Sequence, residues 1–224
     1  MKNLPVVIVG GGGHTRVLIG MLQRAGIAIH GIISSNEALL GTAMMGVQVL
    51  GLQKDFSMKP NEVTLVNGVG NRANRGGAML DARADIYHFY RAQGFDFLPV
   101  VSGDAIIQPE VIMGDGVQVM PGAVIQPGAM IGENVIINTR ASIDHDVIIY
   151  PHAHVAPGAT ICGQVVIGEE THIGAGAVVI QGMRIGSNVV IGAGAVVNRH
   201  VPDNALVRPS PSEQIRVEPL VKTE

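Results

Sequence analysis

From Ile107 to Val197 every sixth residue is aliphatic, fifteen of them Ile or Val and one Met (Met113), with no insertion across sixteen consecutive steps. Two residues before each stands Ala or Val in most cases, as at Ala123, Ala129, Val135, Ala141, Val147, Ala153 and Ala159. Gly often follows the aliphatic residue, as at Gly114, Gly132, Gly168, Gly174, Gly186 and Gly192. A period of six is no amphipathic helix, which repeats at about 3.6 residues. It fits a short strand plus a corner, and three such sides close one triangular coil of 18 residues. The large aliphatic residue then fills the interior of each side, and the small one two places earlier points inward near the corner, where space is tightest. Gly, Asn and Asp suit the corners because they tolerate unusual backbone angles.

Composition agrees with narrow, repetitive packing. Aromatics are only 3% of the 224 residues, there is no Trp, and Gly reaches 30. Charged residues make up 15%, against about 25% in an average domain. The net charge of −3 gives no electrostatic footing for nucleic acid or an anionic membrane. The single Cys162 supports neither an intramolecular disulfide nor a zinc cluster. Met1 to Gly13 holds only the short apolar run Val6–Val9 before four glycines, so neither a signal peptide nor a spanning helix is expected and the cytoplasm is the default compartment.

Residues 1–98 read differently. Val6–Val9 is a buried strand, Gly10 to Gly13 a turn, and His14 to Arg24 a helix with Val17, Leu18, Met21 and Leu22 on one face. Ile29–Ile33 and Val63–Asn67 give further strands. A second helix is expected from about Asn71 to Gln93, with Met79, Ala82, Ile86 and Phe89 as its apolar stripe and Gly76 and Gly77 weakening its first turns. Strand and helix alternate, so this is a small parallel α/β domain, a Rossmann-like half. A glycine-rich turn entering a helix can carry a phosphate on backbone N–H groups. The dinucleotide fingerprint is incomplete, because Thr15 stands where a third small residue belongs and Ser34 and Ser35 end the second strand where an acid would grip a ribose. Nicotinamide binding is therefore not expected.

Of the eight histidines, His145 stands between two carboxylates, Asp144 and Asp146. A carboxylate on one imidazole nitrogen fixes the tautomer and raises the basicity of the other. The same three residues also fit a solvated corner whose acids satisfy the backbone. His30, His88, His152 and His172 read as surface residues, and His200 lies beyond the last full side. His154 follows His145 by nine residues, one and a half sides of the triangle, so the two face different directions within one chain. They share a pocket only if one subunit meets the next. His172 lies 18 residues beyond His154, so the pair also reads as a simple ladder between stacked coils.

The repeat over about 105–201 resembles the hexapeptide-repeat family, whose domain is a left-handed parallel β-helix. Together with the strand and Gly-rich turn ending in His14, the turn Val69–Asn71 and above all the segment Ile137–Asp146, the chain is similar nearly end to end to bacterial nucleotide-sugar N-acetyltransferases of the sialic acid O-acetyltransferase-like group. The resemblance implies an α/β nucleotide-sugar-binding domain at 1–98, a β-helix acetyltransferase domain at 99–201 and a tail at 202–224. It implies a homotrimer using acetyl-CoA, without a metal, to acetylate the 4-amino group of a nucleotide-linked 4-amino-4,6-dideoxy sugar. His145 would be the base and Asp146 its partner. Gly12, Gly13, His14, Gly70 and Asn138 would face the nucleotide sugar, with Ser34 and Ser35 at positions the family fills with acids. His154 and the backbone at Ala175 and Ala193 would hold acetyl-CoA. The usual Gly-x-Pro-Ala tail is replaced by Arg208–Ser212.

Three other functions remain open on sequence: O-acetylation of a sugar or serine hydroxyl with the same base, a β-helix serving only as an assembly subunit, and a zinc hydrolyase resembling gamma-class carbonic anhydrase. No histidine pair here has the spacing that the last requires.

Overall fold

The computed structural model describes residues 4–70 and 81–209. It opens on β1 (Val6–Val9), α1 (Gly13–Arg24), β2 (Ile29–Ser34), β3 (Ala43–Met44), β4 (Val47–Leu52) and β5 (Thr64–Asn67). These strands form one sheet in the order β3-β4-β2-β1-β5, parallel except for the β3–β4 hairpin. The apolar run of β1 is buried on both faces, as an interior parallel strand requires. In α1 the buried face is Thr15, Leu18, Ile19, Met21 and Leu22, while Val17, expected on that face, is exposed.

The second helix, α2, spans Asp81–Ala92; the first ten residues expected of it, with Gly76, Gly77 and Met79, lie outside the described residues. Its stripe differs from the expected one. Phe89 is 60% exposed and Ala82 is exposed, whereas Arg83, Ala84, Tyr87 and Tyr90 are buried. The reason is Phe95 and Phe97 after the helix, which stack on Tyr90 and Tyr87 and rotate that face toward the sheet.

From β6 (Val100–Val101) onward the chain is a left-handed parallel β-helix of two-residue strands. Strands 18 residues apart pair in parallel, as in Ile136↔His154 and His154↔His172. Three faces result. Face one runs from β6 through the strands at 118–119, 136–137, 154–155, 172–173 and 190–191 to Leu206–Val207. Face two carries the strands from Ile106–Ile107 to Val196–Val197, and face three those from Ile112–Met113 to Arg184–Ile185. The aliphatic columns and the small residues two places earlier share one core, nearly all with no exposure. Each buried Ile or Val contributes about 1.5–3 kcal/mol.

Two different demands shape the corners. Every sixth residue from Glu110 to Gly194, three places after the aliphatic one, has a positive φ; Gly, Asn and Asp hold many of these positions, but Glu110, Arg140, His152 and Gln164 hold others. The glycines directly after the aliphatic residue, by contrast, do not adopt positive φ. A Cβ at Gly132, Gly168 or Gly174 would stand 2.7, 2.5 or 2.5 Å from the backbone of the next coil. They are small because coils approach closely, which corrects the expectation that corner glycines serve backbone angle alone.

The α/β unit docks on face one. Leu18, Met21 and Leu22 pack with Val100, Met120 and Ile136, and Arg24 makes a bidentate contact with Asp104 at 2.7 and 3.2 Å. No helix among the described residues is long and apolar enough to cross a membrane.

Candidate functional site

The four glycines after β1 divide by purpose. Gly10 has φ +142°, and a Cβ there would stand 2.8 Å from the Gly68 backbone; at Gly11 it would strike the Leu39 side chain and the Ser34 hydroxyl. The fold itself needs these two. At Gly12 and Gly13 a Cβ would meet nothing within 4 Å. Gly12 caps α1 without any side-chain bond, and no acid stands in the first turn, so the leading N–H groups face outward unpaired by a cap. Ser34 is buried and its Oγ accepts from the Asn36 amide at 3.1 Å, whereas Ser35 is exposed.

His14 reaches from this turn to the β-helix, its Nε2 2.7 Å from Gln118 Oε1. Gln118 Nε2 donates to the Asn67 carbonyl at 2.8 Å, so Oε1 accepts and His14 carries its proton on Nε2. Burial, with the nearby Arg83 charge, lowers the His14 pKa to about 4 against the pull of the Gln118 bond. The imidazole is neutral at neutral pH. Gly70 lies against it, where a Cβ would stand 3.3 Å from the His14 Cβ. Arg83 is fully buried and has no carboxylate partner among the described residues, donating to the carbonyls of Asn134, Asn67 and Val69 at 3.2, 3.2 and 2.9 Å. It ties the loop before Gly70 to the β-helix, and burial lowers its pKa to about 9.

His152 and His172, expected at the surface, are both buried. His152 sits where the α/β unit meets the coils, its Nδ1 2.9 Å from Asn134 Nδ2 and its ring against Tyr87 and His88. Burial brings its pKa to about 4. His172 stacks edge-to-face on His154 with ring centres 4.8 Å apart, the ladder that the 18-residue interval implies.

Asn138 ends a face-one strand, and its Nδ2 lies 3.0 Å from His154 Nε2. Its Oδ1 accepts from the Thr139 amide at 2.8 Å, so Nδ2 is the donor and His154 holds its own proton on Nδ1. That buried nitrogen has no hydrogen-bond partner among the described residues. Burial, His172, His14 and Arg83 together hold the His154 pKa well below its ordinary value. Ala175 and Ala193 lie exposed one coil apart at the same edge, where the Gly194 amide donates to the Ala175 carbonyl at 2.9 Å. Asn138, Ala175 and Ala193 therefore share the edge between faces one and two, and His154 lies on face one beside Asn138.

His145 occupies the opposite edge of face two, between the strands at 142–143 and 148–149. Both flanking acids engage it. Asp144 accepts from its backbone N–H at 2.8 Å, and Asp146 Oδ2 accepts from Nδ1 at 2.9 Å. The Asp146 bond raises the pKa of His145, with smaller help from the charges on Asp144 and Asp146. With Nδ1 donating, Nε2 presents a lone pair. The ring is half-exposed and open to solvent. A single chain thus keeps His145 apart from face one, which bears His154, and from the turn bearing His14.

Comparison with known proteins places this architecture. The bacterial transferase hexapeptide (six repeats) family matches at residues 110–143 and 164–199. The acetyltransferase domain of PglB from Neisseria gonorrhoeae FA1090 is 32% identical with a TM-score of 0.81, over 90% of this chain and 95% of that one. The chain belongs to the bacterial hexapeptide-repeat acetyltransferases. The same Neisseria domain in complex with acetyl coenzyme A matches over 92% of this chain and 96% of that one, with 32% identity and a TM-score of 0.81. A histidine-to-asparagine mutant of perosamine N-acetyltransferase from Caulobacter crescentus, in complex with CoA and GDP-perosamine, is 32% identical over 90% of this chain and 92% of that one, with a TM-score of 0.79. A comparison with curated protein sequences returned no match.

In this acetyltransferase the residues that sequence reasoning passed over are Gln118, Arg83, Asn67 and Asn134, the buried polar set joining its two parts. One signal was available for Gln118. Face one sets Gln118, Ile136, His154 and His172 in one outward column, 18 residues apart, so a polar residue there shares a register with His154. Among the described residues no group of three or more His, Cys, Asp or Glu is placed to hold a metal ion.

Proposed function

We propose that this acetyltransferase moves an acetyl group from acetyl-CoA to the amino group of a nucleotide-linked amino sugar, with His145 as general base in a site completed by a second subunit. The observation that carries the reading is the His145–Asp146 pair: one imidazole nitrogen is held by a carboxylate and the other presents its lone pair to solvent. The relatives in complex with CoA and a nucleotide-linked amino sugar support the choice of substrates.

The acceptor amine attacks the thioester carbonyl, forming the C–N bond while the ammonium proton passes to His145 Nε2. Collapse of the tetrahedral intermediate breaks the C–S bond and releases CoA as thiolate, which takes up a proton. His145 must be neutral to begin, and Asp146 then stabilises the imidazolium. The nucleotide would rest on Gly12, Gly13 and His14 beside Gly70, with Ser35 exposed nearby and Ser34 shaping the turn from below. Asn138 would face the acceptor sugar. His154, neutral with an N–H that no described residue accepts, would meet acetyl-CoA, and the pantetheine would run along the backbone at Ala175 and Ala193.

Since one chain sets His154 on face one and His145 on the edge of face two away from it, the reading brings His145 of one subunit to His154 of the next, as in a homotrimer. The outward column of face three, Ile112, Met130, Ile148 and Val166, offers an apolar surface beside His145 for that contact; Ile112 and Met130 are 61% and 47% exposed. The deciding experiment follows thiol release from acetyl-CoA with UDP-, dTDP- and GDP-linked amino sugars and their hydroxyl counterparts. Turnover with an amino sugar alone is expected. Turnover only with hydroxyl acceptors, or with none, overturns the assignment.

A further inference from the structure

We propose that Gly163 is a positioning residue for the His145 imidazole, its missing side chain being the space in which the ring lies. This rests on the reading of His145 as the base. Gly163 stands one coil, 18 residues, beyond His145, and the Gln164 amide next to it donates to the His145 carbonyl at 3.0 Å. A Cβ built on Gly163 would stand 2.5 Å from Nε2, 2.7 Å from Cε1 and 3.1 Å from Cδ2 of His145, and these are its three nearest contacts.

Backbone angle does not account for glycine at this position. Its φ is not in the left-handed region, so the backbone accepts an L side chain. Gly132, Gly168 and Gly174 differ, since there the next coil's backbone blocks a Cβ. The register argues the same way. Gly163 lies two places after an aliphatic residue, and of the sixteen positions in that register from Pro109 to Arg199 it is the only glycine. The others carry Pro, Asp, Glu, Thr, His, Ala, Gln, Ser or Arg without disturbing the coils. One coil the other way, Asp146 Oδ1 lies over Gly128, where a Cβ would stand 2.6 Å from it. Ring and carboxylate thus lie over glycines of the two neighbouring coils, with Nδ1 held against Asp146.

The test is Gly163→Ala, alone and in a His145→Ala background. In the wild-type background kcat should fall at least about tenfold with both KM values within about twofold, the pattern of a lost transition-state interaction. In the His145→Ala background the same change should alter kcat by less than about twofold, since the residue then has no ring to displace. Equal losses in both backgrounds, wild-type turnover of Gly163→Ala, or failure of Gly163→Ala to assemble would each overturn the proposal; the last would show that the backbone needs glycine for its own sake. NMR titration of His145 reads the seating without reference to turnover. Asp146 and Asp144 are the charged groups acting on the ring, and displacing it from Asp146 should bring its raised pKa back toward the ordinary value. An unchanged titration overturns the proposal. Near-normal turnover of His145→Ala would instead remove the base assignment and leave the seating to be judged by that titration alone.

Discussion

Asp146 accepts a hydrogen bond from His145 Nδ1 at 2.9 Å while turning its own corner with φ 57°. One residue therefore serves chemistry and backbone together, and the choice of replacement decides which is tested. Asn tolerates the left-handed region, so Asp146→Asn keeps the corner and removes only the charge. His145→Ala should lower kcat by about 10²–10⁴-fold, and Asp146→Asn by less. The rate should rise with pH as His145 loses its proton, through an inflection above the ordinary histidine value because the Asp146 bond raises it. In Asp146→Asn that inflection should move to lower pH, and in His145→Ala it should vanish. Titrating the free acceptor amine separates its contribution from the enzyme's. A correctly assembled His145→Ala with near-normal turnover would remove His145 as the base.

Gly13→Val tests the nucleotide turn cleanly. A Cβ there meets nothing within 4 Å, so melting temperature should hold while a bulky side chain blocks a ligand from the N–H groups of α1. The acceptor KM should rise at least about tenfold, as for a lost uniform binding interaction, and the acetyl-CoA KM should stay unchanged. Equal loss of both affinities would mean that the turn serves the fold rather than the acceptor.

The period of six made the β-helix legible because it is enforced in every coil by the same inward column, and the strand–turn–helix at the N-terminus was legible from one apolar run and four glycines. Side-chain environments that depend on docking were not. His152 and His172 looked like surface residues because the repeat points them outward, but the α/β unit and the neighbouring ring cover them. The stripe of α2 was misread for a related reason: period alone favoured Phe89 and Ala82, while Phe95 and Phe97, beyond the helix, draw Tyr87 and Tyr90 inward. Gln118 carried its signal only once the 18-residue column was drawn. The His145–Asp146 pair was visible as adjacent residues, yet the division of labour between Asp144 and Asp146 needed coordinates.

Burial of neutral histidines makes a prediction about acid. His14 and His152 each titrate near 4, against an ordinary value of 6.5, and His154 lies lower than its ordinary value as well. A depressed imidazole pKa means that the unfolded chain binds protons that the folded chain refuses, so stability is full above about pH 6.5 and declines as pH falls toward 4. Melting temperature should therefore drop between pH 7 and pH 5. His152 holds a corner with φ 64°, so His152→Asn retains the backbone while deleting one titrating group, and its melting temperature should fall less over the same interval. A pH-independent melting temperature would show that these histidines are hydrated or already protonated in the folded state.

The arrangement around face two makes the sharpest demand, because His154 lies on face one while His145 lies on the edge of face two away from it. If His145 of one subunit works with His154 of the next, the active particle is a trimer of about 70 kDa, three times the chain mass of 23.4 kDa. His145→Ala and His154→Ala homotrimers should each be impaired. In trimers assembled from a mixture of the two chains, some interfaces pair an intact His145 with an intact His154, and these should recover activity that neither parent shows. The recovery should depend on exchange of subunits, so mixing preformed trimers without dissociation should yield none. An active monomer in light scattering would place the whole site within one chain, which the separation of His145 from face one opposes. Mixed trimers as inactive as their parents would leave subunit assembly intact but show that the two histidines do not complete one another across it.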